Sequence, residues 1–391
     1  MRRAPQKDGS APSDELAFSE EEVESVFHSK VKRSTKVAVA LFVVGAVFLS
    51  LFLGRYSMNP VEVVGAAASY IPKLFILLWV NLNALFDYLV SGAGGAGPAF
   101  YSADDINITD PERVLFLIRL PRVFVVMLVG AGLAVAGASY QGMFKNPLTS
   151  PDLLGASAGA SLGACLGLLW NWSGEGVQLA AFLGGLAAVG MAVWLNKLVD
   201  YDPTLGLVLA GILVSTLFQS GMSIVKLLAD SNDKLPEITF WLMGSFNDVT
   251  VKDMIVVVPM LLGFVLLLVE SWKLNVLSFG DEEARAMGIN TKRTRVVVIL
   301  ASTLLASASV AVAGIIGWIG LVIPHLARAV VGPNYRVLLP TSMLIGSGFL
   351  LLVDNLSRLL LSVEIPIGIL TSILGVPFFV FIFKKNMRGW N

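Results

Sequence analysis

Two arginines, Arg119 and Arg122, stand three positions apart in LIRLPRVFVV, at the mouth of a long apolar run. A guanidinium is among the costliest groups to place beside lipid, and its planar fork of donors suits carboxylates. Charge placed there needs a partner. A second candidate is LVDNLSR, where Asp354 and Arg358 fall one helical turn apart, a spacing that also fits a simple local ion pair. A third is SFGDEEARAMGIN, with Asp281, Glu282 and Glu283 in the first turn of a short helix that Gly288 would close. Ala284, Met287 and Ile289 would form its small apolar side. Taken alone, this segment fits either a solvated loop or a helix that docks on a soluble partner. His28 and His325 lie far apart in sequence, and the single cysteine, Cys165, sits in an apolar run. Neither a metal site nor an internal disulfide is expected. There is no G-x-x-x-x-G-K-[S/T] phosphate loop, so ATP binding of that kind is not expected, and no set of catalytic residues suggests an enzyme.

The elements that carry these residues are membrane helices. Of 391 residues, 55% are hydrophobic and only 14% charged, too few polar groups to cover a soluble domain. Basic and acidic residues balance at 28 each, which gives no sign of a nucleic-acid partner. A crossing helix needs about 20 mostly apolar residues. The sequence predicts ten, over about 37–54, 121–143, 153–170, 177–197, 205–228, 254–271, 295–313, 315–331, 337–357 and 366–383. The boundary around Gly314 to Gly320 is open, because two short spans could share one apolar stretch there.

The segment 74–90 (LFILLWVNLNALFDYLV) is nearly long enough to cross, but it carries Asn81, Asn83 and Asp87. With ten spans and both termini inside, most of the basic residues face the cytoplasm, as the positive-inside rule requires; an eleventh crossing would put the clusters at 292–295 and 384–388 outside. The segment 74–90 is therefore expected to be an outer interfacial or re-entrant helix. Arg119, Arg122 and Arg358 then fall on the outer face. Residues 1–36, polar and acidic, are expected to form a cytoplasmic tail ahead of a transmembrane domain over 37–391. Gly155, Gly159 and Gly163 recur every fourth residue, the spacing for close helix packing. Asn146, Pro147, Leu148 and Pro151 mark a cytoplasmic turn.

In order along the chain, RLPR (119–122), Q-x-x-x-x-NPL-x-x-P-x-LG-x-x-x-GA (141–160), LAG (209–211), WLMGSF (241–246), FGDEEARAMG (279–288), G-x-IG-x-IGLVIPH-x-x-R (314–328), YRVLLP (335–340) and IP-x-G-x-x-T-x-x-x-GVPFF (365–379) resemble the FecCD family. These are permease subunits of type II ABC importers for ferric siderophores, haem and vitamin B12. The resemblance implies an all-α polytopic permease with ten transmembrane helices per subunit, working in the inner membrane of a prokaryote as a homodimer. Its implied partners are two ATPase subunits, which use ATP and magnesium, and an extracytoplasmic binding protein; the chain itself needs no cofactor. It also implies that exposed guanidiniums of Arg119, Arg122 and Arg358 dock the binding protein. Gly280, Asp281, Glu282, Ala284 and Gly288, within coupling helices at 279–290, would seat in the ATPase. Asn146, Leu148 and Thr204 would belong to the cytoplasmic gate. An iron chelate, either a ferric siderophore or haem, is the expected cargo, with cobalamin as the alternative. The acidic tail and a stretch at about 71–100 have no counterpart in the family pattern. An ATP-independent secondary transporter would call for intramembrane carboxylates and inverted repeats, and neither stands out.

Overall fold

The structure is a computed structural model describing residues 32–54, 56, 58–91, 108–199 and 203–387. The tail over 1–31, the Gly-rich loop after Ser91 and the Asp104–Asp105 pair lie outside the described residues. The helices are α1 (Arg33–Phe52), α2 (Pro60–Ser91), α3 (Asp110–Met143), α4 (Ala156–Leu169), α5 (Gly174–Val199), α6 (Pro203–Leu228), α7 (Lys234–Met243), α8 (Val257–Phe279), α9 (Asp281–Ala286), α10 (Thr291–Ala313), α11 (Ile319–Val331), α12 (Tyr335–Leu359) and α13 (Ile367–Met387). Among the described residues, seven of these are long and apolar enough to cross a bilayer: α1, α3, α5, α6, α8, α10 and α12. Three shorter apolar helices, α4, α11 and α13, complete the bundle. The chain is an all-helical polytopic membrane protein.

The centre of the bundle is α3. From Pro121 to Met143 nearly every residue is buried, and α8, α10, α11 and α12 all pack on it. Its sequence explains why: glycine, alanine and valine dominate, so it is apolar on all sides and neighbours approach from each of them. The open boundary resolves into two elements. Helix α10 stops at Ala313, Gly314 and Trp318 take positive φ, and α11 starts at Ile319.

Helix α2 extends the helix expected at 74–90 back to Pro60. That segment is the second half of one 32-residue helix, which Pro72 does not interrupt. The helix starts early because Asn59 and Glu62 cap each other: the Glu62 amide donates to Asn59 Oδ1 at 2.8 Å and the Asn59 amide to Glu62 Oε2 at 3.0 Å. Near its start, Val63 and Ala66 pack against Leu115. Farther along, Tyr70 stacks on Phe116 and Lys73 Nζ lies 2.9 Å from the buried Glu112 carboxylate. These contacts lay residues 63–73 alongside the N-terminal extension of α3. The start of α1 differs too: its helix begins at Arg33, inside the stretch expected as tail.

Candidate functional site

At the outer rim the three arginines converge, but not as exposed groups. Arg119, Arg122 and Arg358 are 4%, 7% and 8% exposed, which corrects the expectation of guanidiniums open to a partner protein. Arg122 forks across two carboxylates, with Nη2 2.8 Å from Asp354 Oδ1 on α12 and 2.9 Å from Glu364 Oε2 beyond it. Arg358 Nε lies 3.2 Å from the other Asp354 oxygen, so the local pair is one edge of a larger network. Two carboxylates thus answer two of the three guanidiniums.

The remaining donors go to the end of α1. Arg119 donates to the carbonyls of Leu51 and Tyr56, while Arg358 donates to Ser50 Oγ at 2.9 Å and to the Leu53 carbonyl at 3.5 Å. A helix leaves its last carbonyls without intrahelical partners and carries negative potential there, so two cations satisfy and neutralise this terminus. The rim is a clasp tying α1 to α3 and α12. Sequence reasoning missed Glu364 as a partner of Arg122, though it immediately precedes the IP-x-G motif at 365–379.

At the inner end, the turn after α3 is held by its own residues. Asn146 Oδ1 accepts from the Leu148 amide at 2.9 Å, leaving the Leu148 side chain exposed. The Pro147 carbonyl lies 3.0 Å from His325 Nε2 on α11. Gln141 donates to the carbonyls of Thr149 and Leu321 and accepts from Arg328. The turn is thereby latched to α11 by His325, Gln141 and Arg328, residues the sequence showed only as motif letters. Thr204 lies in the first turn of α6.

Gly159 and Gly163 face α5, where a Cβ on either would collide with the backbone of Gly184 or Ala180. Gly155 stands outside the helix: it is the residue before α4, with φ of 84°, a left-handed conformation that suits glycine. It also packs closely, as expected: a Cβ there would meet Ser215 of α6 at 2.8 Å, so Gly155 serves both the turn and the contact.

Helix α9 caps the inner end of α8. Asp281 Oδ1 accepts from Arg295 Nη2 at 2.8 Å, and Gly288, at φ of 76°, ends the helix. Ala284 is fully buried with Val276, Leu277 and Ile289, so its apolar side faces the bundle. This corrects the expectation that Ala284 seats in a partner; it holds the helix in place. The surface offered outward is Glu282, Glu283 and Arg285.

Helix α6 is among the least buried spans, and its exposed face is not uniformly apolar. Thr216, Gln219, Ser220 and Ser223 are all exposed. The hydroxyls of Thr216, Ser220 and Ser223 each donate to the carbonyl one turn back, at 2.9–3.0 Å, which leaves their lone pairs outward. Polar groups in a span normally face protein or water, not lipid.

The model of the FecCD transport family matches residues 41–385. The chain belongs to the FecCD transport family. It is 36% identical over 353 residues to the molybdate import system permease protein MolB of Haemophilus influenzae, covering 90% of this chain and 95% of that protein. It is 37% identical over 326 residues to the hemin transport system permease protein HmuU of Yersinia pestis, covering 81% and 96%. A solved structure described as an inward-facing conformation of a metal-chelate type ABC transporter superposes with a TM-score of 0.73 at 33% identity, over 90% of this chain and all of that one. As a FecCD permease, the chain is the membrane subunit of an ABC importer in the cytoplasmic membrane, and it leaves ATP hydrolysis to a partner. Importers of this kind work with an ATPase and a binding protein.

Proposed function

We propose that two copies of this permease enclose a hydrophilic path for an iron chelate of the ferric siderophore kind, moved inward as separate ATPase subunits close beneath them. The observation that carries the reading is the hydroxyl face of α6. A stripe of neutral acceptors and donors without a fixed charge lets a polar cargo pass without trapping it. Cargo choice then rests with the binding protein, which docks on the outer rim that the arginine clasp shapes, while α9 presents Glu282 and Glu283 to the ATPase. Haem is the other iron chelate this reading admits, and cobalamin is the alternative cargo. Molybdate is a second reading, favoured by the match along 95% of MolB.

The test is uptake into proteoliposomes holding the permease, its ATPase and its binding protein, with radiolabelled ferric siderophore and molybdate offered in competition. Siderophore uptake that needs ATP and both partners is expected. Uptake of molybdate alone would shift the assignment to the second reading, and uptake by this chain without ATPase would overturn the importer mechanism.

A further inference from the structure

On the side of the bundle, at the outer ends of α5, α8 and α10, lies a groove of about 540 Å³. Its walls are Leu179 on α5 and Val258 on α8, with Ile255 from the turn before α8; all three are exposed. Its floor is Ala308 and Ala311 of α10, side chains too small to fill the space between the two walls. The groove is apolar along its depth but charged at its outer edge. There Lys252 Nζ and Glu175 Oε1 stand 3.2 Å apart, both largely exposed.

We propose that this groove seats one acyl chain of an outer-leaflet phospholipid whose headgroup carries both a phosphate and a primary ammonium. The order of chemistry matches such a lipid: opposite charges at headgroup level, then an apolar trough. From Glu175 to Phe182 the trough runs about 10 Å along α5, the depth of part of one chain. An ion pair as open to water as Lys252–Glu175 is held weakly, so each member can exchange its partner at little cost. Lys252 then takes the phosphate and Glu175 the ammonium. A quaternary ammonium has no proton to donate to Glu175, and a purely anionic headgroup leaves Glu175 facing like charge.

The test uses the intact permease reconstituted in vesicles of equal phosphatidylethanolamine, phosphatidylcholine and phosphatidylglycerol. The protein is then extracted in mild detergent and its retained lipid is counted by native mass spectrometry. One lipid per chain is expected, with phosphatidylethanolamine enriched about three- to fivefold over phosphatidylcholine, the range an exposed charge pair supports. Ala311→Leu fills the floor and Leu179→Trp fills the mouth from the exposed wall without entering the core; both are expected to lose the lipid. Glu175→Gln is expected to keep the lipid and lose the headgroup preference. Unchanged retention in both filling variants would overturn the proposal, as would headgroup-blind retention by the parent protein. So would a Leu179→Trp variant that keeps its lipid while its dimer dissociates, which would give the groove to a second copy.

Discussion

Arg119 is the residue whose surroundings most constrain what substitution will do. It has two backbone carbonyls of the α1 terminus for partners, and Gly54 leaves room for its guanidinium. Arg119→Glu would set a carboxylate against those carbonyls in a buried site. The expected outcome is loss of roughly 3 kcal/mol of stability, in line with breaking a buried ionic contact. It should be read as a lower midpoint of thermal unfolding in detergent, with binding-protein affinity measured on the folded fraction. Arg119→Lys should recover only part of the loss, since an ammonium cannot span both carbonyls as a fork does. A variant that keeps its midpoint and loses only docking would show the guanidinium turned outward. The sequence marked the arginines, because charge beside an apolar run is conspicuous. It could not show their burial, since the carbonyls that hold Arg119 have no sequence signature and Glu364 lies far along the chain.

The elements divide by how they declare themselves. Most spans built from long apolar runs were legible to within a few residues, but α3 begins at Asp110 instead of near 121 and α8 runs to Phe279 instead of near 271; the short helix α9 was legible from its acidic first turn and its closing glycine. Helix α2 was not, because Pro72 reads as a boundary while the Asn59–Glu62 cap that starts the helix is two ordinary residues. The orientation of α9 was equally hidden, since small apolar side chains serve a docking face or an inward face alike. Burial now separates its residues into two sets with opposite expected behaviour. Ala284→Asp places a carboxylate in the apolar pocket with Val276, Leu277 and Ile289, and should cost several kcal/mol and lower the yield of folded protein. Glu283→Lys changes only an exposed charge, so stability should hold to within about 0.5 kcal/mol. Its effect should appear instead in the reconstituted complex, as weaker stimulation of ATP hydrolysis by loaded binding protein. If Glu283→Lys leaves that stimulation intact, the exposed edge of α9 is not the surface the ATPase reads.

For the whole molecule, the proposed function requires the exposed surfaces of the spans to be shared between lipid and a second copy that encloses the path. Two helices make contrasting offers. On α5, Leu183 is an exposed apolar residue of the kind lipid accepts, whereas α6 shows Thr216 and Ser220 on its open face. If α6 lines a water-filled path, Ser220→Cys should react with a membrane-impermeant, charged thiol reagent in intact membranes, and Leu183→Cys should not. Background is low because Cys165, the chain's one cysteine, is buried. Since thiolate is the reacting species, a water-exposed cysteine should label faster as pH rises toward its ordinary value, while a lipid-facing one stays inert across the range. Adding binding protein and non-hydrolysable ATP should change the labelling rate at Ser220→Cys, because alternating access opens the path to one side at a time. Equal labelling at Leu183→Cys and Ser220→Cys would place both helices in the same environment and remove the hydroxyl face of α6 from the route.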